Sequence, residues 1–160
     1  MGWVCFCTGR IMADTKIVLT STQMMMAAHV GIMRRLQFLK RNAVPVYGKE
    51  TDWQLQIEGA LSEYALAKYL NLHWEGVGVI DGDDVGDQDV RVTEHHHGSL
   101  ILHPRDNDNK KFWLLTGKNG TYIVRGYILG KDGKQDKYYK EMVQGRGKSY
   151  FVPQSELIKP

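Results

Sequence analysis

Apolar residues recur at three- and four-residue spacing in the first half of the chain, which predicts two helices. The first runs from about Gln23 to Arg41, after N-cap candidates in Thr20-Ser21-Thr22, and the second from Asp52 or Trp53 to Leu70. We interpret the methionine-rich stripe of the first helix as core filling. Small residues in the second helix predict that it lies close against a sheet; they are Gly59, Ala60, Ala65 and Ala67.

Shorter apolar and β-branched runs predict strands in the rest of the chain. They cover Lys16–Leu19, Val77–Ile80, Asp89–Thr93, Ser99–His103, Phe112–Thr116, Thr121–Leu129 and Tyr150–Pro153. We expect a hairpin over Gln88–Leu102, a second hairpin turned by Asn119-Gly120, and a short helix at Asp136–Met142. This order predicts an α+β fold with two N-terminal helices packed on a mainly antiparallel or mixed sheet.

The chain has 160 residues, which suits one domain over residues 16–160 after a flexible N-terminal extension of residues 1–15. Met1–Ile11 is too short for a signal peptide or a membrane span, and Met12 would make a normal start. The pair Cys5 and Cys7 is awkward as a disulfide and too sparse for structural zinc. We therefore expect a reduced, cytoplasmic protein without a membrane partner.

The formal net charge of +3 permits a nucleic-acid partner without arguing for one. The acids are concentrated in one stretch, where five aspartates lie between Asp81 and Asp89. Such crowding requires water, cations or basic side chains to neutralise it. The stretch is either a solvated acidic loop or a divalent metal site at a strand edge. A calcium loop is excluded because Val85 and Val92 would occupy ligand positions.

The order of Glu63 on a helix, Asp84, and Asp89-Val90-Arg91 on a strand resembles the PD-(D/E)XK nuclease superfamily. The wider chain is also similar to a group of uncharacterised phage proteins, notably in Ile57–Leu70 and in Leu100–Asp106. The resemblance implies a restriction-endonuclease-like core and a Mg²⁺- (or Mn²⁺-) dependent endonuclease that hydrolyses DNA in the host cytoplasm. Glu63, Asp84 and Asp89 would then hold the metal, and Arg91 would contact the scissile phosphate.

Two features depart from that pattern. Arg91 stands where the superfamily has lysine, and arginine stays protonated, so it can grip a phosphate but cannot deprotonate water. The gap between Asp84 and Asp89 is also short. The alternative is therefore a non-catalytic phage accessory protein of the same fold that binds nucleic acid or a host protein. A third hypothesis is a virion or assembly protein with a large apolar patch. Convergence of the three carboxylates would favour the enzyme.

Candidate nucleic-acid contacts are the basic residues of the strand, the following turn and the C-terminal tail; they are Arg91, Arg105, Lys131, Lys134 and Lys137. In the tail, bases alternate with tyrosines that can stack on nucleobases. The triplet His95-His96-His97 is expected at an exposed turn, and His103 is expected to be packed. The chain has no nucleotide-binding glycine motif, so we expect no small-molecule cofactor, and the sequence leaves a homodimer open.

Overall fold

The computed structural model describes residues 15–41, 52–76, 83–142, 144–145 and 147–159. Helices α1 (Ser21–Lys40) and α2 (Asp52–Leu70) confirm the two predicted helices to within two residues. Thr20 caps α1 as expected: its hydroxyl accepts from the Gln23 N–H, and the Gln23 side chain accepts from the Thr20 N–H. The predicted strand at Val77–Ile80 lies outside the described residues, as do residues 1–14.

The side of α1 that faces α2 is lined by small residues, so the core-filling interpretation of the methionines is wrong. Ala27 and Gly31 are the buried positions of α1, whereas Met25, Met26 and Met33 are 58%, 51% and 53% exposed. A Cβ added to Gly31 would lie 2.6 Å from the carbonyl oxygen of Gln56. The helices therefore approach each other along their small residues, and most of the methionines and leucines of α1 remain exposed, although Met24 and Val30 pack against the core.

Within the described residues, seven strands follow in the order β1 (Thr15–Val18), β2 (Gln88–Thr93), β3 (Leu100–Leu102), β4 (Lys111–Lys118), β5 (Thr121–Leu129), β6 (Tyr139–Lys140) and β7 (Ser149–Val152). The first sheet has the order β1-β5-β4-β2, in which β2 runs parallel to β4 and the other pairs are antiparallel. The second sheet has the antiparallel order β3-β7-β6. The broader prediction of an α+β fold with mixed and antiparallel strands is confirmed.

The predicted hairpin over Gln88–Leu102 is wrong, because β2 and β3 belong to different sheets. Strand alternation indicates a strand but does not identify its partner, and here β4 takes the place expected for β3. The β4–β5 hairpin is confirmed, with positive φ angles of 53° at Asn119 and 79° at Gly120.

The C-terminal third corrects two further details of the prediction. Asp136–Tyr138 forms one 3₁₀ turn that leads into β6, in place of the expected helix over Asp136–Met142. A short helix, α3 (Gly130–Gly133), follows β5, so the helices are not all N-terminal. None of the described helices is both long and apolar enough to cross a membrane.

Two apolar clusters lie on opposite faces of the first sheet. Residues of α2 pack with Val90, Trp113 and Leu115 in the first cluster. Phe112 and Leu114, the alternate residues of β4, pack with the second sheet in the second cluster. Because side chains alternate along a strand, this division also fixes which way the polar residues of β2 point.

Candidate polyanion-binding and carboxylate site

Glu63 lies on α2 and is 3% exposed. Both of its carboxylate oxygens accept from the guanidinium of Arg34 on α1, the second at 2.8 Å from Nη2, and Trp74 Nε1 lies 3.4 Å from Oε2. Burial lowers the pKa of Arg34, but the contact with Glu63 outweighs it and leaves that pKa raised. This carboxylate is therefore neutralised inside the protein by a bidentate ion pair.

Asp84 lies in the turn that precedes β2, the edge strand of the first sheet. Its Oδ2 accepts from the Val90 N–H at 2.8 Å. Burial, followed by repulsion from Glu63, raises the pKa of Asp84 to about 7, and Asp89 adds to the repulsion. Asp84 is thus close enough to the other two predicted metal ligands, Glu63 and Asp89, for both of their charges to raise its pKa.

Asp89 lies on β2 and pairs with a lysine that was not among the predicted site residues. Lys110, which immediately precedes β4, is 2.9 Å from Asp89 Oδ1 and also contacts the carboxylate of Asp83. Burial opposes the charge of Lys110, but hydrogen bonds to the two carboxylates leave its pKa raised. Lys110 therefore remains a cation between two acids.

Arg91 is held in place on the same face of β2 as Asp89. Its Nη2 lies 3.1 Å from Asp106 Oδ2, and its guanidinium lies 5.2 Å from the centre of the Phe112 ring. The same Asp106 oxygen accepts from the His103 N–H at 2.8 Å. The turn after β3 thus fixes the guanidinium against the second cluster.

The predicted metal ligands do not share one face of the sheet. Val90 and Val92 pack in the first cluster, beneath α2 and Glu63, so Asp89 and Arg91 point to the opposite face. Among the described residues there is no group of three histidine, cysteine or acidic side chains that could hold one metal ion. In this arrangement the set of Glu63, Asp84 and Asp89 does not fit a single Mg²⁺ ion.

The predicted nucleic-acid lysines occupy different surroundings. Lys134 donates to the carbonyl oxygens of Pro104 and Asp106 and to Asp108 Oδ1. These hydrogen bonds stabilise the turn that follows β3. Lys137 lies 4.6 Å from the Tyr138 ring centre and 3.7 Å from a Glu156 oxygen. Arg105 and Lys131 are exposed.

A cavity of about 850 Å³ opens beside Arg91, between the end of β2 and the outer face of the second sheet. Its polar lining includes Arg91 and all four histidines of that region, which are His95, His96, His97 and His103. Its apolar lining includes Ile101, Leu114, Met142 and Phe151. None of its described lining residues is acidic.

The histidines play the expected structural roles and also border the cavity. The triplet is exposed in a turn closed by the Gly98 N–H to the His95 carbonyl. His103 is partly buried, with Nδ1 3.1 Å from Ser149 Oγ, and burial lowers its pKa. At neutral pH His103 is therefore an uncharged group that can form hydrogen bonds.

Sequence reasoning missed the cations that pair with the acids, whereas the basic and tyrosine-containing pattern of the tail included Lys140 and Lys148. Arg34 and Lys110 are far from their carboxylate partners along the chain, so no local spacing marked them. Lys140 lies 5.7 Å from the Phe151 ring centre and Lys148 lies 5.8 Å from that of Tyr139. The alternation of bases and tyrosines in the tail was the signal for this pair.

Comparison of the chain with family models, with curated proteins and with solved structures finds no match in any of the three.

Proposed function

We propose that this protein binds nucleic acid, most simply DNA, through a basic-aromatic surface on β6 and β7. We define that surface as Tyr139, Lys140, Lys148, Tyr150 and Phe151. The observation that carries the proposal is the placement of its two lysines over aromatic rings next to the cavity that Arg91 lines.

The surface combines the two interactions that single strands need. The rings of Tyr139 and Tyr150 lie 4.6 Å apart at a tilt of 34°, and Tyr139 is exposed. Exposed rings stack on nucleobases whatever their sequence, while lysines pair with phosphates. Arg91 adds a planar donor that suits a phosphate oxygen pair.

The acids of the candidate site do not oppose such a ligand, because most of them are already paired. Glu63 is neutralised by Arg34 and Asp89 by Lys110, and Asp106 is shared by Arg91 and a backbone N–H. The positive charges of Lys140 and Lys148 thus face solvent next to a cavity with no acidic lining among its described residues.

The test is anisotropy of a fluorescein-labelled oligothymidylate over a salt series, in EDTA, with a Lys140→Gln/Lys148→Gln variant. Each lost phosphate contact should reduce the slope of log affinity against log salt by about 0.7. Lys16→Gln/Lys40→Gln, which removes two exposed charges from β1 and α1, is the matched control and should leave the slope unchanged. Equal losses in both variants would mean that net charge alone drives binding, and no binding by the wild type would refute the proposal.

A metal-dependent DNA endonuclease is the second candidate, and the environment of Asp84 favours it. A carboxylate whose pKa rises to about 7 through burial and the charges of Glu63 and Asp89 is the kind of group that a cation would relieve. Against it stand the pairing of Glu63 and Asp89 with cations and their separation on two faces. The family resemblance, and with it a phage origin, remains part of this second candidate.

Its test is cleavage of plasmid and single-stranded DNA with Mg²⁺ or Mn²⁺, comparing the wild type with Asp89→Ala. Metal-dependent cutting that disappears in the variant would place a nuclease at this site. If the folded wild type binds DNA and cuts neither substrate, the result supports binding without cleavage.

The restriction-endonuclease-like core is likewise a proposal for the finer class of the fold. The succession of α2 with Glu63 and an edge strand with Asp89-x-Arg91 supports it. The position of β3 in a second sheet is the feature that argues against this finer class.

A further inference from the structure

We infer that the cavity beside Arg91 is a pocket for one unpaired nucleotide, with the base on its apolar side and the phosphate at Arg91. This inference deepens the proposed nucleic-acid binding by naming the part of the strand that enters the protein. It requires no metal ion and no reaction.

The size and lining of the cavity match a nucleotide. Its volume of about 850 Å³ falls within the roughly 300–1,000 Å³ range of ligand pockets. Ile101 and Phe151 are partners across β3 and β7, so they present one continuous apolar face. A flat aromatic base can stack there, which is the usual way in which proteins hold splayed single-stranded bases.

The phosphate position follows from the charges around that face. Arg91 lines the cavity with a guanidinium whose orientation is fixed by Asp106, and Lys140 lies over the Phe151 ring at 5.7 Å. A fixed guanidinium loses little freedom when it takes a phosphate. The described lining has one guanidinium, that of Arg91, and four imidazoles but no carboxylate, which is a charge pattern complementary to a nucleotide.

The walls of the cavity favour an unpaired base over a duplex. The turn of His95–Gly98 forms one wall, and Gln154 holds it by donating to the carbonyl oxygens of His96 and Gly98, each at 2.9 Å. The strand end with Arg91 and the second sheet close other sides. A base within a duplex must be unpaired and unstacked before it can enter such a site, at a cost of about a few kcal/mol, whereas a single-stranded base avoids most of that cost.

The test uses the full chain in EDTA and the anisotropy of the fluorescein-labelled oligothymidylate. Ile101 is 37% exposed, so both Ile101→Glu and Ile101→Lys should fold, and they place opposite charges at the same point. We expect Ile101→Glu to weaken binding more than tenfold, Phe151→Ala to weaken it about tenfold through lost stacking, and Ile101→Lys to bind at least as tightly as the wild type. A duplex of the same length should bind more weakly than the single strand.

Competition by thymidine monophosphate distinguishes a free nucleotide from one within a strand. Displacement of the labelled strand would show that the mononucleotide suffices, and its absence together with the loss in Ile101→Glu would assign the pocket to strand-embedded nucleotides. The inference is overturned if Ile101→Glu and Ile101→Lys bind alike, or if duplex and single strand bind equally. The wider proposal fails separately, when the wild type binds no strand at all.

Discussion

Asp84→Asn should make the protein more stable at pH 8, although it alters a polar residue of the candidate site. The pKa of Asp84 is raised from an ordinary 3.8 to about 7, because burial and the charge of Glu63 disfavour its ionised form. Asparagine has the same shape and keeps an oxygen that can accept from the Val90 N–H. The substitution therefore removes a costly charge and retains the hydrogen bond.

The magnitude follows from the difference between the two pKa values. At 1.36 kcal/mol for each pH unit, ionising Asp84 in the folded protein costs at most about 4 kcal/mol above pH 7. Since the folded protein binds the proton more tightly, wild-type stability falls as pH rises from about 4 to about 7 and then levels off. The advantage of Asp84→Asn should therefore grow by about 2–3 kcal/mol between pH 5 and pH 8.

Urea unfolding of both proteins at pH 5, 6, 7 and 8 measures this difference. A constant difference across the series, or a variant that is less stable than the wild type at pH 8, would refute the electrostatic reasoning. Repeating the pH 8 measurement with Mg²⁺ adds a test of the second candidate function. Stabilisation of the wild type but not of Asp84→Asn would indicate that a cation binds at this carboxylate.

Three further substitutions, two of them with a control variant, test the packing and pairing in the protein by urea unfolding. Arg34→Met should lower the free energy of unfolding by about 3–5 kcal/mol because it leaves a buried carboxylate unpaired. Its control, Lys40→Met at the exposed end of α1, should change that free energy by less than about 0.5 kcal/mol. Similar losses in the two variants would contradict the buried pair. Gly31→Ala should destabilise the protein because the added Cβ would lie 2.6 Å from backbone atoms of α2. Gly59→Ala, with open space around it, should stabilise the protein by up to about 1 kcal/mol. If both variants are stabilised, α1 and α2 are farther apart in solution than in the structure. Tyr122→Phe removes a 2.7 Å hydrogen bond to a carboxylate and should cost about 1.5–3 kcal/mol, and a neutral result would mean that this contact is not formed in solution.

Local patterns sufficed for the two long helices and most of the strands of this fold but not for the strand partners. The cap at Thr20, the extent of α2 and the turn at Asn119-Gly120 depend on residues close in sequence, and each is found as expected. The parallel pairing of β2 with β4 depends on contacts between distant segments. Alternation along β2 is equally compatible with either partner, so the chain gave no local means of choosing.

The same limit explains the outer face of α1. Periodicity ranks positions by the size and polarity of their side chains, and it therefore selected the methionines. The packing of α1 on α2 is instead governed by how closely two backbones can approach, which favours Ala27 and Gly31. Small residues carry little weight in a hydrophobic pattern, although they decide which side of a helix becomes buried.

One part of the site geometry was nevertheless contained in the sequence. In Asp89-Val90-Arg91-Val92 the apolar residues alternate with the charged ones, and the apolar pair must pack beneath the helix that covers the sheet. Since Glu63 belongs to that helix, Asp89 and Arg91 are necessarily on the other face. A cation shared by the helix and strand carboxylates would have to sit at the open edge of β2, which is where Asp84 lies. A cation at these carboxylates would therefore have to contact Asp84, whereas the proposed polyanion binding would use Arg91 and the face beyond it.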